Sequence, residues 1–202
     1  MQKIICDNII LFGGGIDSSC LANYLYQKGK KFKLLYINYN QKALVGELES
    51  AKHFAKLFNS DLIVLKTNAY NDSKNPLLNG KVAINHSKNV LAVRNQLFLT
   101  IATIYAINNN IKNIYLGFHK EPKGSKFHDA KKKFVDCYQE LLRSQKLNIK
   151  IRVPFIKQTQ LSYITKNKSL ISKSFSCYES KGKKECGKCT HCKHKKKLCT
   201  IS

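Results

Sequence analysis

A chain of 202 residues, 43% of them hydrophobic, can bury a core as one ordinary domain, alone or with a small appendage. Lys and Arg outnumber Asp and Glu by 36 to 12, a formal charge of +24, which fits either an anionic partner (nucleotide, nucleic acid or acidic protein) or a Lys-rich solvated surface. Met1 runs almost directly into an apolar stretch without a basic leader, and no apolar run approaches the ~18 residues of a membrane helix, so neither a targeting segment nor a membrane span is expected and a cytoplasmic location is.

Taken in order, residues 8–12 form an aliphatic run of strand type that breaks into three glycines, and 17–27 then take a helical pattern. A strand at 32–38 leads to a helix at 45–58, and a strand at 61–65 leads to the polar, turn-rich stretch 68–89, a long loop of the lid or binding kind. A helix at 95–107 precedes a strand at 113–117, and a helix at 128–143 precedes a weaker strand at 148–153. This alternation predicts an α/β fold, a doubly wound parallel sheet covered on both faces, with ligands at the carboxyl ends of the strands. From Ser172 the chain is rich in Lys and Cys and too poor in large apolar residues to build its own core. The expected division is therefore an α/β domain over 1–171 and a Cys-rich tail over 172–202.

The break after the first strand is the first chemical signal. Gly13, Gly14 and Gly15 free the backbone for positive φ and bring bare N–H groups toward a ligand. Ser18 and Ser19 open a helix whose unpaired N–H groups and dipole favour an anion, and phosphate is the natural occupant. The spacing matches neither G-x-x-x-x-G-K-[ST] nor G-x-G-x-x-G.

The second signal is "SCYESKGKKECGKCTHC", which places Cys177, Cys186, Cys189 and Cys192 in a C-x8-C-x2-C-x2-C series. Four thiolates at these intervals suit a closed tetrahedral zinc site that ties down a tail unable to pack by itself, a structural site because no ligand position stays open. His191 and His194 lie near enough to substitute as ligands, and Cys199 is a poorer candidate.

"GGGIDS" resembles the Ser-Gly-Gly-x-Asp-Ser signature of the PP-loop ATP pyrophosphatases, with Gly13 in place of the first Ser. Together with the four cysteines, "NYNQKALVGELESA", "VRNQLFLTIATIYA" and "FHDAKKKFV" make the chain resemble, over nearly its whole length, the 7-cyano-7-deazaguanine synthase (QueC) family. The resemblance implies an adenine nucleotide alpha hydrolase fold of PP-loop type and an ATP-dependent, C–N bond-forming ligase using Mg2+. Such an enzyme adenylates 7-carboxy-7-deazaguanine, and ammonia then displaces AMP to give amide and, after a second activation, nitrile. It also implies roles: Phe12, Gly13, Gly14, Gly15, Ile16, Asp17, Ser18, Ser19, Arg94 and Asn95 around ATP, with Asp17, Ser18 and Arg94 in catalysis. Tyr39, Gln41 and Asp129 are the implied substrate contacts, while His119 and His128 are read as polar surface residues. A homodimer is expected. The loop "KEPKGSKFHDAKK" departs from the family pattern at most positions, which leaves the acceptor open. The alternatives are a QueC-like antiviral-system enzyme that conjugates a deazapurine to a protein amine, a PP-loop enzyme modifying tRNA, and a non-catalytic zinc-stabilised nucleic-acid-binding module.

Overall fold

Each aliphatic run is short, and each but the last precedes a stretch of helical period, so the chain can only bury its strands by stacking them side by side under helices. In the computed structural model, which describes residues 6–78, 90–120, 127–165 and 167–200, the strands are β1 (Asn8–Leu11), β2 (Lys33–Asn38), β3 (Leu62–Lys66), β4 (Asn113–Tyr115) and β5 (Lys150–Arg152). They pair in the order β3-β2-β1-β4-β5, and every pairing is parallel. The parallel doubly wound sheet expected from the alternation is present.

Side chains of a strand alternate between faces, and the two faces are filled separately. Ile10, Leu34, Tyr36 and Tyr115 pack with α1 (Ile16–Gln27) and α2 (Leu44–Leu57) through Leu21, Leu25, Ala51 and Phe54. Ile9, Leu35, Ile37, Ile114 and Leu116 pack with α3 (Arg94–Asn108) and α4 (Lys132–Ser144) through Leu99, Ala102, Ala106, Val135 and Leu142. Each fully buried Leu or Ile contributes about 1.5–3 kcal/mol relative to exposure, so these two layers hold the sheet. The chain winds from β1 outward to β3, then returns past β1 to β4. The strand order therefore reverses beside β1, and that is where a crevice opens at the carboxyl ends of such sheets.

Two departures from the expected elements have local causes. The helix expected at 128–143 begins as a 3-10 turn, His128–Ala130, followed by an extended Lys131 (φ −89°, ψ 157°) before α4 starts. Asp129 is drawn away from that helix: its Oδ2 accepts the Asn95 N–H (3.4 Å) and its carbonyl accepts the Asn95 side-chain amide (3.2 Å), placing a carboxylate at the start of α3. The C-terminal region adds α5 (Gln160–Ile164), α6 (Lys168–Lys173) and α7 (Thr190–Thr200). Their apolar residues Tyr163, Ile164, Ile171 and Leu198 complete the core over α1, so none needs a core of its own. Of the loops singled out in the sequence, 79–89 and 121–126 lie outside the described residues. No helix among the described residues is long and apolar enough to cross a membrane.

Candidate functional site

The glycines after β1 behave differently from one another. Gly14 has φ +72°, and a Cβ there would stand 2.5 Å from the Glu47 carbonyl oxygen, so this position turns the backbone tightly against α2. A Cβ at Gly13 would meet nothing within 4 Å, because that residue faces open space. α1 starts at Ile16 with no side-chain cap, and the Ser18 and Ser19 hydroxyls donate back to the Gly15 carbonyl (3.1 and 2.8 Å). The first N–H groups of α1 thus have no capping side chain, the condition that makes a helix start an anion site. β4 ends against this corner: a Cβ on Gly117 would lie 3.0 Å from the Asp17 backbone carbon.

Asp17 ties the corner to the C-terminal region. Its Oδ1 accepts the Tyr163 hydroxyl (2.5 Å) and the Gln160 side-chain amide (2.8 Å), and His119 Nδ1 lies 3.8 Å away. The Gln160 side-chain oxygen, Oε1, in turn meets His194 Nε2 at 2.8 Å, so a chain of polar contacts runs from the corner to α7.

A cavity of about 1050 Å³ opens over the corner. Its lining also includes Tyr39, Gln41, Glu47, Arg94, Asn95 and Tyr178. Arg94 leaves the first turn of α3 after a left-handed Val93 (φ 53°). Burial works against its charge, but the Tyr39 and Tyr178 phenols and Asp129 hold the guanidinium more firmly protonated than usual. Gln41 is buried with both ends of its amide engaged: Oε1 accepts the Tyr39 N–H (3.0 Å), and Nε2 donates to Tyr36 Oη (2.6 Å) and to Glu47 Oε2 (2.8 Å). The Tyr36 hydroxyl also donates to Glu47 Oε2 (2.9 Å). Burial pushes the Glu47 carboxyl above the ordinary range, against the pull of Gln41, Tyr36 and Arg94. Beside Arg94, a side pocket of about 40 Å³ is bordered by Asp129, Tyr178 and His191.

The four sulfurs of Cys177, Cys186, Cys189 and Cys192 lie within 4.8 Å of one another. Three of their six separations, 3.4 Å (Cys189–Cys192), 3.9 Å (Cys186–Cys192) and 4.0 Å (Cys177–Cys189), are close to the ~3.8 Å edge of a tetrahedron with zinc–sulfur bonds of ~2.3 Å. Backbone N–H groups of Ser180 and Cys186 point at the Cys177 sulfur (3.3 and 3.4 Å), and that of Cys189 at the Cys186 sulfur (3.4 Å), donors that favour thiolate. The donor set fits a four-coordinate zinc. Cys177 and Cys192 are buried with Ala43 and Phe175, and Phe175 lies over Gly46 of α2 while its N–H donates to the Gly14 carbonyl (2.8 Å). Phe175, Tyr178, Thr190, His191 and His194 also line the cavity, so the cysteine-bearing tail forms part of its wall.

The family model described as queuosine biosynthesis protein QueC matches residues 7–200. The chain belongs to the QueC family. The 7-cyano-7-deazaguanine synthase of Methanococcus maripaludis is 25% identical, over 97% of this chain and 93% of that protein. The 7-cyano-7-deazaguanine synthase of Buchnera aphidicola subsp. Schizaphis graminum is 29% identical, over 95% of this chain and 88% of that protein. Among solved structures, a predicted tRNA methyltransferase subunit from Methanocaldococcus jannaschii superposes with a TM-score of 0.52 at 20% identity, covering 78% of this chain and 72% of that one, a likeness of fold.

Of the positions that the QueC resemblance singles out, Phe12, Gly13, Gly15, Ile16, Asp17, Ser18, Tyr39, Gln41, Arg94 and Asn95 line the cavity. Gly14 packs behind it on α2, Ser19 is fully buried, and Asp129 borders the side pocket. His119, read as a surface residue, lines the main cavity beside Asp17, whereas the exposed His128 does not. Sequence reasoning missed Glu47, Gly117, Gln160, Tyr163 and Tyr178. A signal existed for Glu47. It precedes Ser50, Ala51 and Phe54 by three, four and seven positions, which puts a carboxylate on the inward stripe of α2.

Proposed function

We propose that this protein is an ATP-dependent enzyme that forms a C–N bond by adenylating a 7-deazaguanine carboxylate and passing the acyl group to ammonia, a 7-cyano-7-deazaguanine synthase activity ending in amide or nitrile. The observation that carries the reading is one continuous cavity of about 1050 Å³ running from the uncapped start of α1 to Arg94 and Tyr178. Its volume suits a nucleotide beside a purine-sized acid. Membership of a family whose relatives are named synthases of this kind supports the same reading.

A carboxylate is a poor electrophile because its oxygen leaves badly, and adenylation supplies a stable leaving group. The carboxylate oxygen attacks the α-phosphorus, the bond to pyrophosphate breaks, and the backbone N–H groups of the corner with the α1 dipole take up the charge that develops there. Arg94 holds an anionic oxygen of acid or phosphate in line. Ammonia then forms the C–N bond as AMP leaves. A second activation, at the amide oxygen, followed by loss of AMP gives the nitrile. Asp17 would hold the magnesium ion: Oδ1 carries the Tyr163 and Gln160 bonds, and among the described residues Oδ2 is left for a cation that needs only one or two carboxylates beside phosphate oxygens. Bound there, it would offset phosphate charge. The four cysteines would hold a structural zinc that pins residues 172–202 onto the nucleotide-binding part, 1–171.

Mass spectrometry of products tests this, after incubation with ATP, magnesium, 7-carboxy-7-deazaguanine and either ammonia or a lysine-bearing protein fraction. Amide or nitrile together with AMP is expected. Conjugate formed on protein and not on ammonia would reassign the acceptor, and the absence of AMP and pyrophosphate would end the adenylation reading.

A further inference from the structure

Besides Asp17, one further carboxyl group among the described residues lines the cavity, that of Glu47. Glu47 stands in the first turn of α2, its backbone carbonyl against Gly14 and its side chain among the cavity-lining groups. The Tyr36 hydroxyl and the Gln41 side-chain amide both donate to it, at 2.9 and 2.8 Å, and both bonds fall on Oε2. Gln41 is itself immobilised by the Tyr39 N–H and by Tyr36 Oη. The carboxylate is therefore oriented by two fixed donors, and Oε1 is left without a hydrogen bond among the described residues.

That asymmetry limits what Glu47 can bind. A guanine-like edge presents two parallel N–H groups, which a carboxylate reads best with both oxygens, and Oε2 is already filled. A single N–H donor on one small molecule fits Oε1. The titratable groups facing Glu47 are Tyr36 from β2, Tyr39 from the turn after it, Arg94 from α3 and Tyr178 from the tail. Burial keeps all three phenols neutral, so Arg94 is the charged neighbour among them.

We propose that Glu47 is the proton acceptor for the attacking nitrogen, an inference that rests on the ATP-dependent amidation described above. The ammonia lone pair forms the C–N bond at the acyl carbon of the adenylate while the carbonyl π pair moves to oxygen. An N–H proton passes to Glu47 Oε1. The oxyanion then re-forms the carbonyl, the C–O bond to AMP breaks, and AMP departs with that electron pair. Glu47 releases its proton to solvent, so acyl-adenylate and ammonia become amide, AMP and one proton. Tyr36 and Gln41 act through Glu47 as positioning residues.

The test separates the two half-reactions in the full-length protein. Carboxylate-dependent exchange of pyrophosphate into ATP reports adenylation, and mass spectrometry reports amide. Glu47→Gln is expected to keep exchange within about threefold of the parent protein, and to lose ammonia-dependent amide formation by about 100-fold or more. Hydroxylamine, a stronger nucleophile that is largely unprotonated at neutral pH, should restore acyl transfer in that variant. Tyr36→Phe removes a donor to the ionised carboxylate and should move the acid limb of the amide-forming pH profile to higher pH while exchange is retained. This second variant reads the carboxyl even where Glu47→Gln folds poorly. Equal loss of exchange and amide in Glu47→Gln, or undiminished amide formation, overturns the assignment. Absence of exchange in the parent protein overturns the amidation reading along with it.

Discussion

Gly13 and Gly14 are neighbours with opposite tolerances. At Gly14 the positive φ and the Glu47 carbonyl 2.5 Å from any Cβ forbid a side chain. At Gly13 neither constraint applies, so the serine that the PP-loop signature carries at this place fits without rearrangement. Gly13→Ser is expected to lower the KM for ATP several-fold by adding a hydroxyl donor at the phosphates, with the melting temperature unchanged; an unchanged or higher KM would place the phosphates elsewhere. Asp17 stands at the same corner, and its proposed task is a different one. Asp17→Asn keeps an oxygen for the Tyr163 and Gln160 donors but removes the negative charge. Pyrophosphate exchange should fall about 100-fold while thermal unfolding moves little, a split that a purely architectural Asp17 would not give.

At the scale of elements, α2 and the tail depend on each other. Gly46 lies under the Phe175 ring, and a Cβ there would stand 2.1 Å from a ring carbon. The single hydroxyl proton of Ser50 of α2 is shared between the carbonyls of Gly14 (2.8 Å) and Lys173 (3.1 Å), joining corner, helix and tail at one hydroxyl. Lys195 on α7 closes the cluster by binding Glu185 at 2.9 Å. Because the same tail lines the cavity, the proposed zinc would support the site as well as stability. Metal analysis of fresh protein should find one zinc per chain, and a strong chelator should lower both the melting temperature and pyrophosphate exchange. Gly46→Ala should hasten zinc loss to the chelator. Exchange that survives complete removal of zinc would detach the tail from the site.

For the molecule as a whole, the formal charge of +24 works against the compact state. Acidic partners are few: Asp61 meets Lys33 at 3.0 Å, Glu49 meets Lys52 and Lys183 at 3.1 and 3.2 Å, and such surface pairs contribute little. Self-repulsion spread over the surface is screened by salt. The melting temperature is therefore expected to rise by a few degrees between about 0.05 and 0.5 M salt, followed by differential scanning fluorimetry. A fall with salt would mean that local ion pairs outweigh the net charge.

Local pattern was enough for the parallel α/β architecture, the glycine turn after β1 and the four-cysteine set, because each is written within a few residues as apolar period, flexible turn or ligand spacing. The position of Asp129 at the start of α3, the Tyr36–Gln41–Glu47 cluster and the use of the tail as a cavity wall were decided by the tertiary structure. For Asp129 and the tail the reason is distance along the chain, whereas Tyr36, Gln41 and Glu47 lie within 11 positions and meet only because strand, turn and helix pack against one another. Asp17 meets Tyr163 across 146 positions and Asn95 meets Asp129 across 34, and no periodicity within a helix or strand encodes which distant side chain will satisfy a buried polar group.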